Sequence, residues 1–449
     1  MDVAVIGLGY VGLVAAACLA RSGHVVVGVD KDQAKLAALE TGWVPIYEEG
    51  LQEIVEAQLR GGRLRFTPDL SAAVSEAEVL IVAVGTPSLP DGRVDLSQVH
   101  AVLDQVVDLA DDELTVVMKS TVPPGTGRKI TGQLFAKSRA PIHYASNPEF
   151  LREGKAVWDW YHPDRIVVGA DSESTARKVL ELYADIQAPR LVMDITSAEM
   201  VKYASNALLA TKISFINEIA NLCELVGANI DMVAPAVGLD ARIGPHFLQA
   251  GLGYGGSCFP KDTKALDQVS SLNGYRFGLL KSVIEVNSRQ RVAAVKKLRE
   301  GLGSLYGRRI AILGLAFKPG TDDVREAPAL EVARYLVDEG ALVAATDPVA
   351  VDNARPYLPA SVSISADPYE ILAGAEALLL ATEWPQLLSL DWEKVRGLMV
   401  DPYLVVDGRN ALDYERLVRL GFRYCGFGRA SEPISDRRHG VERGTCLKG

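Results

Sequence analysis

The feature that most constrains the fold is a glycine-rich turn at residues 7–12, whose sequence is GLGYVG. The apolar residues 3–6 precede it, and an alanine-rich helical pattern follows it as far as Arg21. A buried strand, a tight glycine turn and a helix in this order begin a βαβ unit. Further apolar runs lie between helical patterns, at residues 25–29, 79–84 and 115–118. The first part of the chain is therefore expected to form a doubly wound α/β domain with a parallel sheet.

A second βα alternation begins at Arg309 and resembles the first closely enough to predict a structural repeat. Residues 312–315 read ILGL where residues 5–8 read VIGL, and an aspartate ends the second predicted strand of each copy, Asp30 and Asp347. Between the two alternations the strand pattern stops and long helical patterns take over.

These patterns predict the fold class and the domain bounds. The expected class is α/β, with two Rossmann-like doubly wound parallel-sheet domains joined by a central helical domain that contains a long helix. The predicted segments are 1–196, 197–300, 301–430 and a polar, patternless tail at 431–449 that is expected to be flexible.

Composition excludes several classes of function. The chain has 449 residues and a net charge of −10 without a basic cluster, so nucleic acid is not expected as a partner. It has no signal-peptide pattern, and no apolar run approaches the roughly 20 residues that span a bilayer, so a cytoplasmic protein without membrane contact is expected. Scattered cysteines and histidines show no metal-ligand spacing, so no metal is expected.

The first glycine turn meets the conditions of a dinucleotide fingerprint. Gly7 allows the tight turn, Gly9 lets backbone N–H groups approach a pyrophosphate, and Gly12 allows close packing of helix on strand. Asp30 would accept hydrogen bonds from ribose hydroxyls and favour NAD over NADP, although the adjacent Lys31 weakens that preference. The alternative, a merely structural glycine turn, is disfavoured because strand, helix and acid are in register.

The second glycine turn differs from the first in ways that predict another ligand. Residues 314–320 lack the second glycine but contain Lys318, and the insertion that follows contains Arg325. This turn should not bind NAD as the first does. Together with Arg409 it could hold a nucleotide diphosphate, because arginine makes bidentate contacts to phosphate. A solvated charged loop is the alternative.

Cys258 lies in the glycine-rich loop 251–258, and Pro260 is suited to the first turn of a following helix. A cysteine at a helix N-terminus next to Lys261 is expected to be stabilised as a thiolate and to act as a nucleophile. Lys261 and Asp262 can share its helix face. The alternative is a small buried apolar residue, which is what most cysteines are.

Two further groups of polar residues are candidates for proton and oxyanion chemistry. Lys202 and Asn206 are four residues apart on one helix face and could together polarise an oxygen. The segment 147–153 offers two carboxylates, Glu149 and Glu153, after a strand. Taken alone, a solvated surface pair and an exposed turn remain the alternatives.

Eight separated motifs occur in order along the chain. They are GLGYVG at 7–12, VGTP at 84–87, STVPPG at 120–125, NPEFLRE at 147–153, PDRIV at 163–167, GGSCFPKD at 255–262, the segment 314–325 and DGR at 407–409. Together they resemble the UDP-glucose 6-dehydrogenase family of nucleotide-sugar dehydrogenases, and the resemblance runs from residue 1 to about 429.

The resemblance implies an NAD domain, a long-helix linker that makes a homodimer, and a C-terminal domain that holds UDP. The implied reaction converts UDP-glucose, two NAD and water into UDP-glucuronate and two NADH. Asp262, Lys202 and an ordered water would manage the hydroxyl proton in the first oxidation, and Cys258 would then attack the aldehyde. After a second hydride transfer, Glu149 and Thr121 would help water to hydrolyse the thioester. Lys202 and Asn206 would stabilise the oxyanion.

The resemblance also implies two sets of binding residues. Those on the cofactor side are Gly7, Gly9, Tyr10, Val11, Gly12, Asp30, Lys31, Lys35, Gly85, Thr86, Ser120, Thr121, Glu153, Lys261 and Arg325. Those for the nucleotide sugar are Glu149, Phe150, Leu151, Glu153, Lys202, Asn206, Arg242, Phe247, Leu248, Tyr254, Gly255, Cys258, Phe317, Lys318 and Arg409, of which Arg242 is expected to reach across the dimer.

Other functions remain open at this point. The same double oxidation of another nucleotide sugar, such as GDP-mannose, is the nearest alternative, since sugar selectivity depends on loop shape. A two-electron hydroxyacid dehydrogenase of the 6-phosphogluconate kind would share the Lys/Asn pair but predicts neither the cysteine loop nor a second α/β domain. A non-enzymatic NAD-binding regulator is disfavoured by the presence of Cys258, Lys202 and Asp262 together.

Overall fold

A computed structural model describes residues 1–429, so the predicted tail lies outside the described residues. Two β-sheets organise this part of the chain. The strands of the first sheet are β1 (Asp2–Ile6), β2 (Val25–Val29), β3 (Leu64–Thr67), β4 (Val79–Val82), β5 (Leu114–Met118), β6 (Ile142–Ser146), β7 (Ile166–Ala170) and β8 (Arg190–Met193). Those of the second sheet are β9 (Arg309–Leu313), β10 (Leu342–Thr346), β11 (Ser363–Ile364), β12 (Ala377–Leu380), β13 (Leu404–Asp407) and β14 (Arg423–Cys425).

Helices connect the strands and fill the middle of the chain. Those of the first α/β segment are α1 (Tyr10–Arg21), α2 (Gln33–Glu40), α3 (Leu51–Arg60), α4 (Leu70–Glu76), α5 (Ser97–Leu109), α6 (Thr126–Lys129), α7 (Ala156–Tyr161) and α8 (Glu173–Glu181). The middle contains α9 (Ile195–Val226), α10 (Ile230–Gly238), α11 (Phe259–Leu272) and α12 (Gly278–Leu302). The second α/β segment has α13 (Pro328–Asp338), α14 (Val351–Ala354), α15 (Pro368–Leu372), α16 (Pro385–Leu388), α17 (Trp392–Leu398) and α18 (Tyr414–Arg419). Short π and 3₁₀ turns occur at Ile130–Leu134, Phe135–Lys137 and Arg355–Tyr357.

The strand order confirms the predicted fold class and the predicted repeat. The first sheet has the order β3-β2-β1-β4-β5-β6-β7-β8, and the second has β11-β10-β9-β12-β13-β14. Counted within each sheet, the second order matches the first six strands of the first. Side chains of β1 alternate between two apolar cores, one on each face of the sheet. Both faces are therefore covered, as a doubly wound sheet requires.

The first sheet is not parallel throughout. β7 pairs with β6 in the antiparallel direction, with Ala145 opposite Ala170, while β7 and β8 are parallel to each other. An antiparallel neighbour needs no crossover helix on a sheet face, so the chain can reverse here. The direction of the added strands could not be read from apolar runs alone.

Sequence patterns predicted some strands and missed others. A strand was expected immediately before Asn147, where β6 lies, but the strands β3, β7, β8, β11 and β14 were not predicted. β8 lies at the edge of its sheet and most of its residues are exposed, and β3 contains polar and exposed positions. Edge strands and strands with polar positions lack the continuous apolar pattern of buried parallel strands, which is why β3 and β8 escaped detection. β7 is apolar and buried, so this reason does not apply to it.

The two glycine turns share one backbone geometry. Gly7 and Gly314 have φ angles of +91° and +95°, a region that favours glycine. In each copy the aspartate after the second strand, Asp30 or Asp347, accepts a hydrogen bond from the backbone N–H that follows this glycine. The repeat thus extends from strand order to individual contacts.

The middle of the chain consists mainly of helices that pack on one another. α9 is the longest of them at 32 residues; the side chain of Asp194 caps its N-terminus, and Gly227 in the left-handed region ends it. α9 packs against β7, α11 and α12, so it joins the first sheet to the rest of the middle segment. None of the helices within residues 1–429 has both the length and the apolar content that crossing a membrane requires.

The glycine turn generates a stability prediction. A Cβ at Gly12 would lie 1.8 Å from the carbonyl oxygen of Gly7, whereas a Cβ at Gly9 would meet no atom within 4 Å. Gly12→Ala is therefore expected to reduce the free energy of unfolding by about 1–3 kcal/mol or more, through overpacking. Gly9→Ala is the matched control, with a urea midpoint close to that of the unsubstituted protein. Equal midpoints for the two variants would contradict the close helix–strand contact.

Candidate active site

A cleft with a volume of about 1100 Å³ lies at the carboxyl ends of the first sheet's strands and faces the second α/β segment. This is where open α/β sheets bind ligands. Its walls come from the turns after β1, β4, β5 and β6, from the cysteine loop and from the insertion before α13. The predicted site residues that line it are Gly9, Tyr10, Val11, Gly85, Thr86, Ser120, Thr121, Glu149, Leu151, Glu153, Cys258, Lys261 and Arg325.

The first glycine turn presents a helix N-terminus to this cleft. Gly9, the N-cap of α1, lines the cleft and leaves open space where a side chain would stand. Backbone N–H groups at such a terminus favour an anionic ligand. The residues present therefore fit the pyrophosphate of a dinucleotide.

The side chain of Asp30 stabilises the glycine turn by accepting a hydrogen bond from its backbone. Its carboxylate accepts hydrogen bonds from Leu8 N at 2.9 Å and from Lys35 Nζ at 2.8 Å. Burial alone would raise the pKa of Asp30, but these bonds and one from Asp32 N hold the pKa below its ordinary value. Asp30 is thus ionised at neutral pH and can accept further hydrogen bonds, while Lys31 beside it is exposed.

Cys258 occupies the N-cap of α11, as the sequence predicted, but its predicted charge state is wrong. Lys261 Nζ contacts Asp262 Oδ1 at 2.6 Å rather than stabilising the sulfur. Burial raises the pKa of the Cys258 thiol, and the attraction of Lys202 only partly opposes this. In this structure the thiol form is therefore favoured at neutral pH.

A buried ion pair lies next to the cysteine. Lys202 Nζ is 2.7 Å from both the carboxylate and the backbone oxygen of Glu149, and both side chains are less than one-tenth exposed. Burial opposes ionisation of each partner, yet their attraction lowers the pKa of Glu149 and raises that of Lys202. Both groups are therefore charged.

The other predicted polar pair is also brought together here. Asn206, one turn after Lys202 on α9, donates from Nδ2 to Asp262 Oδ2 at 2.6 Å. Asp262 is almost fully buried and receives Lys261 on its other oxygen. An ammonium, an amide and two carboxylates therefore converge near the thiol, an arrangement that can move protons and stabilise an oxyanion.

Lys119 is part of the site although the sequence did not indicate it. It is buried, lines the cleft, and donates to Asn147 Oδ1 and to the Tyr183 hydroxyl at 2.9 Å. It also helps to lower the pKa of Glu149. Lys119 lies immediately before the motif at 120–125, and Asn147 is the first residue of the motif at 147–153. The Lys119 side chain therefore joins the turn after β5 to the turn after β6.

Amide side chains from α9 and α12 hold the glycine loop. Asn287 accepts from Tyr254 N at 2.8 Å and donates to Tyr254 O at 3.0 Å, and Gln290 and Asn217 bond to the backbone of Gly251. A Cβ at Gly253 would lie 2.3 Å from the Asn287 side chain. The sequence did not predict these amide contacts, because helical periodicity identifies the buried face of a helix but not the segment that packs against that face. The position of the amides among buried residues was the available signal.

The residues predicted to hold the nucleotide lie on several elements. Arg409 donates to the backbone oxygens of Ala381 and Phe317, at 2.7 and 3.1 Å. Burial lowers the pKa of Lys318, with the charge of Glu153 opposing that effect. Gly255 cannot take a side chain, because a Cβ there would lie 2.3 Å from Glu326 O.

Aromatic residues surround the start of α11. The rings of Phe247 and Tyr254 lie 6.0 and 5.9 Å from that of Phe259.

Three other residues predicted to bind the nucleotide sugar lie elsewhere. The Arg165 guanidinium lies 3.8 Å from the centre of the Phe150 ring, and Leu248 belongs to a separate apolar cluster. Arg242 is not brought to the cleft: it is exposed and bonds to Asp240 in its own loop.

Comparison with known proteins matches all three parts of the chain. Models of the UDP-glucose/GDP-mannose dehydrogenase family match with their NAD binding domain at residues 1–187, their central domain at 196–289 and their UDP binding domain at 311–414. UDP-glucose 6-dehydrogenase TuaD of Bacillus subtilis is 45% identical over 95% of this chain and 93% of its own length. A UDP-glucose 6-dehydrogenase of Rhizobium meliloti is 45% identical over 96% of this chain and all of its own.

A solved structure extends this similarity to three dimensions. The UDP-glucose dehydrogenase of Pyrobaculum islandicum superposes with a TM-score of 0.89 at 44% identity, covering 95% of this chain and 98% of that one. The two sheets and the helical middle are therefore shared with a protein of similar length.

The side-chain amides of Asn217, Asn287 and Gln290 that bond to the glycine loop, here called the amide clamp, generate a prediction. Asn287→Ala removes both bonds to buried Tyr254. Tyr254 O keeps its bond from Arg291 Nη2 at 2.8 Å, so the backbone N–H of Tyr254 is the group that loses its partner, at a cost of about 1–3 kcal/mol. Amide hydrogen exchange at residues 251–256 should become faster and the urea midpoint should fall. Asn273→Ala is the control, since that exposed side chain bonds to Val269 O in α11 and lies outside the glycine loop. Unchanged exchange in Asn287→Ala would contradict the clamp.

Proposed function

The chain belongs to the UDP-glucose/GDP-mannose dehydrogenase family, and we propose that it oxidises UDP-glucose to UDP-glucuronate, using two NAD and one water per turnover. The observation that carries this proposal is that the dinucleotide turn and Cys258 line the same cleft. The 45% identity to enzymes named for UDP-glucose favours that sugar over GDP-mannose, the alternative within the family.

NAD is the cofactor of this family's first domain, and when bound it accepts one hydride in each oxidation. The chain's own contribution would be the amide-rich turn at Gly9 and the ionised Asp30. Glu153, Lys261 and Arg325 line the same cleft and are proposed to contact the cofactor from its other side.

The proposed role of Cys258 follows from the chemistry of an aldehyde. An aldehyde cannot give up a second hydride until a nucleophile has added to its carbon. The Cys258 sulfur would add to form a thiohemiacetal, loss of hydride would give a thioester, and water would release the acid and restore the thiol. Cys258 lines the cleft, whereas Cys18 and Cys223 are buried in apolar clusters, which supports this choice.

The charged groups around the sulfur support the remaining roles. Lys202 stays an ammonium, so it can donate to the oxygen that becomes negative as sulfur adds. Asn206 and Asp262 are proposed to act with it on the substrate hydroxyl. Glu149 is ionised and lines the cleft with Thr121, so the two are proposed to orient and activate the hydrolytic water.

The proposal extends to assembly and location. We propose an NAD segment at 1–196, a dimerisation segment at 197–300 and a UDP-sugar segment at 301–430. Leu208, Phe215 and Leu222 are each more than half exposed and recur every seventh residue along α9, as expected of a helix that pairs with a second copy. The exposed Arg242 is proposed to reach the partner's cleft. The unpaired cysteines among the described residues fit the proposed cytoplasmic location.

The first prediction of this proposal concerns stoichiometry. The full-length protein incubated with UDP-glucose and excess NAD should release two NADH for each sugar consumed, measured by absorbance and by chromatography of the nucleotide product. GDP-mannose and UDP-N-acetylglucosamine are the comparison substrates and should react more slowly. Release of one NADH with free aldehyde would contradict the four-electron reaction.

The second prediction concerns the cysteine. Cys258→Ser should carry out the first oxidation and then stop, or stall at an ester, because a hydroxyl is a far weaker nucleophile than a thiolate. Intact-mass measurement would detect the stalled ester. Cys425→Ser, a partly buried thiol that does not line the cleft, is the control and should still release two NADH. Full two-step activity in Cys258→Ser would rule out the nucleophilic role.

A further inference from the structure

The thiol of Cys258 must lose a proton before it can attack, and the charged groups nearest to it bond to one another or to Asn206 rather than to the sulfur. Lys202 is already an ammonium, Glu149 is held by Lys202, and Asp262 receives donors on both oxygens. Burial raises the pKa of the thiol. Within residues 1–429, the hydrogen-bond partner of the Cys258 sulfur is Ser257, whose Oγ lies 3.5 Å from Sγ.

Ser257 connects the sulfur to a carboxyl group across the cleft. Its Oγ is 3.0 Å from Glu153 Oε1, so Cys258, Ser257 and Glu153 form a continuous hydrogen-bonded chain. Glu153 also contacts Thr321 Oγ1 at 3.3 Å and Arg325 Nη2 at 3.5 Å. The three members of the chain come from the turn after β6 and from the cysteine loop, and Glu153 and Ser257 are 104 residues apart in the sequence.

Glu153 has the proton affinity that an acceptor at neutral pH needs. Burial and the neighbouring Asp323 carboxylate raise the pKa of Glu153 to about 7, against the opposing charge of Arg325. Lys318 is a further cation that interacts electrostatically with Glu153. Lys318 and Arg325 also interact electrostatically with Cys258. A base is most effective when its pKa lies close to the working pH.

We propose that Ser257 and Glu153 form a proton relay that deprotonates Cys258 as the sulfur adds to the aldehyde. The thiol proton moves to Ser257 Oγ while the serine's own proton moves to Glu153 Oε1. The C–S bond forms, the carbonyl electron pair moves to oxygen beside Lys202, and Glu153 becomes a neutral acid. When hydrolysis of the thioester releases the sulfur, the same path returns the proton and resets the relay. The inference rests on the proposed function and adds a path for the proton.

The test follows the two NADH phases separately in a single turnover, with enzyme in excess over UDP-glucose and with saturating NAD. Ser257→Ala should leave the first phase within about twofold and slow the second by about 10²-fold or more, the usual contribution of general base catalysis. Ser257→Thr keeps the hydroxyl and should restore most of the second phase. Glu153→Gln keeps the shape of the acceptor without its proton affinity. Because Glu153 is also proposed to contact the cofactor, this variant is expected to slow both phases, but the second by about 10²-fold more than the first.

The pH profile separates proton transfer from a loss of loop shape. Below pH about 7 Glu153 takes up a proton from solvent and can no longer accept one from Ser257. The rate of the second phase in the unsubstituted protein should therefore decrease as the pH falls, by up to about tenfold per pH unit. Ser257→Ala and Glu153→Gln should both lack this acid limb.

Two outcomes would overturn the relay: a second phase in Ser257→Ala as fast as in the unsubstituted protein, or equal slowing of both phases in both Ser257→Ala and Glu153→Gln. If the unsubstituted protein itself released one NADH, the proposed function would fail, and the relay with it.

Discussion

The buried pair between Lys202 and Glu149 is the contact on which the rest of the site depends. It joins α9, the helix that runs through the middle of the chain, to the turn that follows β6 in the first sheet. Removing either partner would leave a charge in the interior, which costs about 3–5 kcal/mol, so the two elements are tied in one register. Because Lys202 attracts a negative sulfur and Glu149 repels one, the same pair also sets how readily Cys258 ionises.

The repeated α/β architecture shows how one backbone plan can hold a dinucleotide in one copy and not in the other. Asp347 is completely buried and accepts hydrogen bonds from Leu315 N, Ala316 N and the indole of Trp384. The second turn thus satisfies its amides internally, so they are no longer free for a phosphate. In the first copy Asp30 accepts one turn amide, from Leu8, and the open space at Gly9 remains.

The sequence predicted the parts of the fold whose signal is local. Apolar strands beside glycine turns were visible because burial on both sheet faces demands continuous apolar residues, and Cys258 was visible because its loop has an unusual composition. What failed were inferences about which polar side chains pair with one another. Lys261 was expected to act on the sulfur, but its nearest carboxylate is Asp262. The amides of Asn287 and Gln290 were missed because helical periodicity does not say which loop a buried polar side chain will meet.

The raised pKa of the thiol is consistent with the charges around it. Lys202 is paired with Glu149 and Lys261 with Asp262, so these two pairs carry no net charge before the sulfur is counted. A thiolate would add an unpaired negative charge in a buried site, and burial accordingly favours the thiol. In the proposed addition to the aldehyde, that charge would reside on an oxygen instead, where the ammonium of Lys202 could donate to it. The site thus disfavours a charged Cys258 at rest. Under the proposed mechanism its stabilising contacts would act in the state in which the bond is forming, the state that a catalyst must bind most strongly.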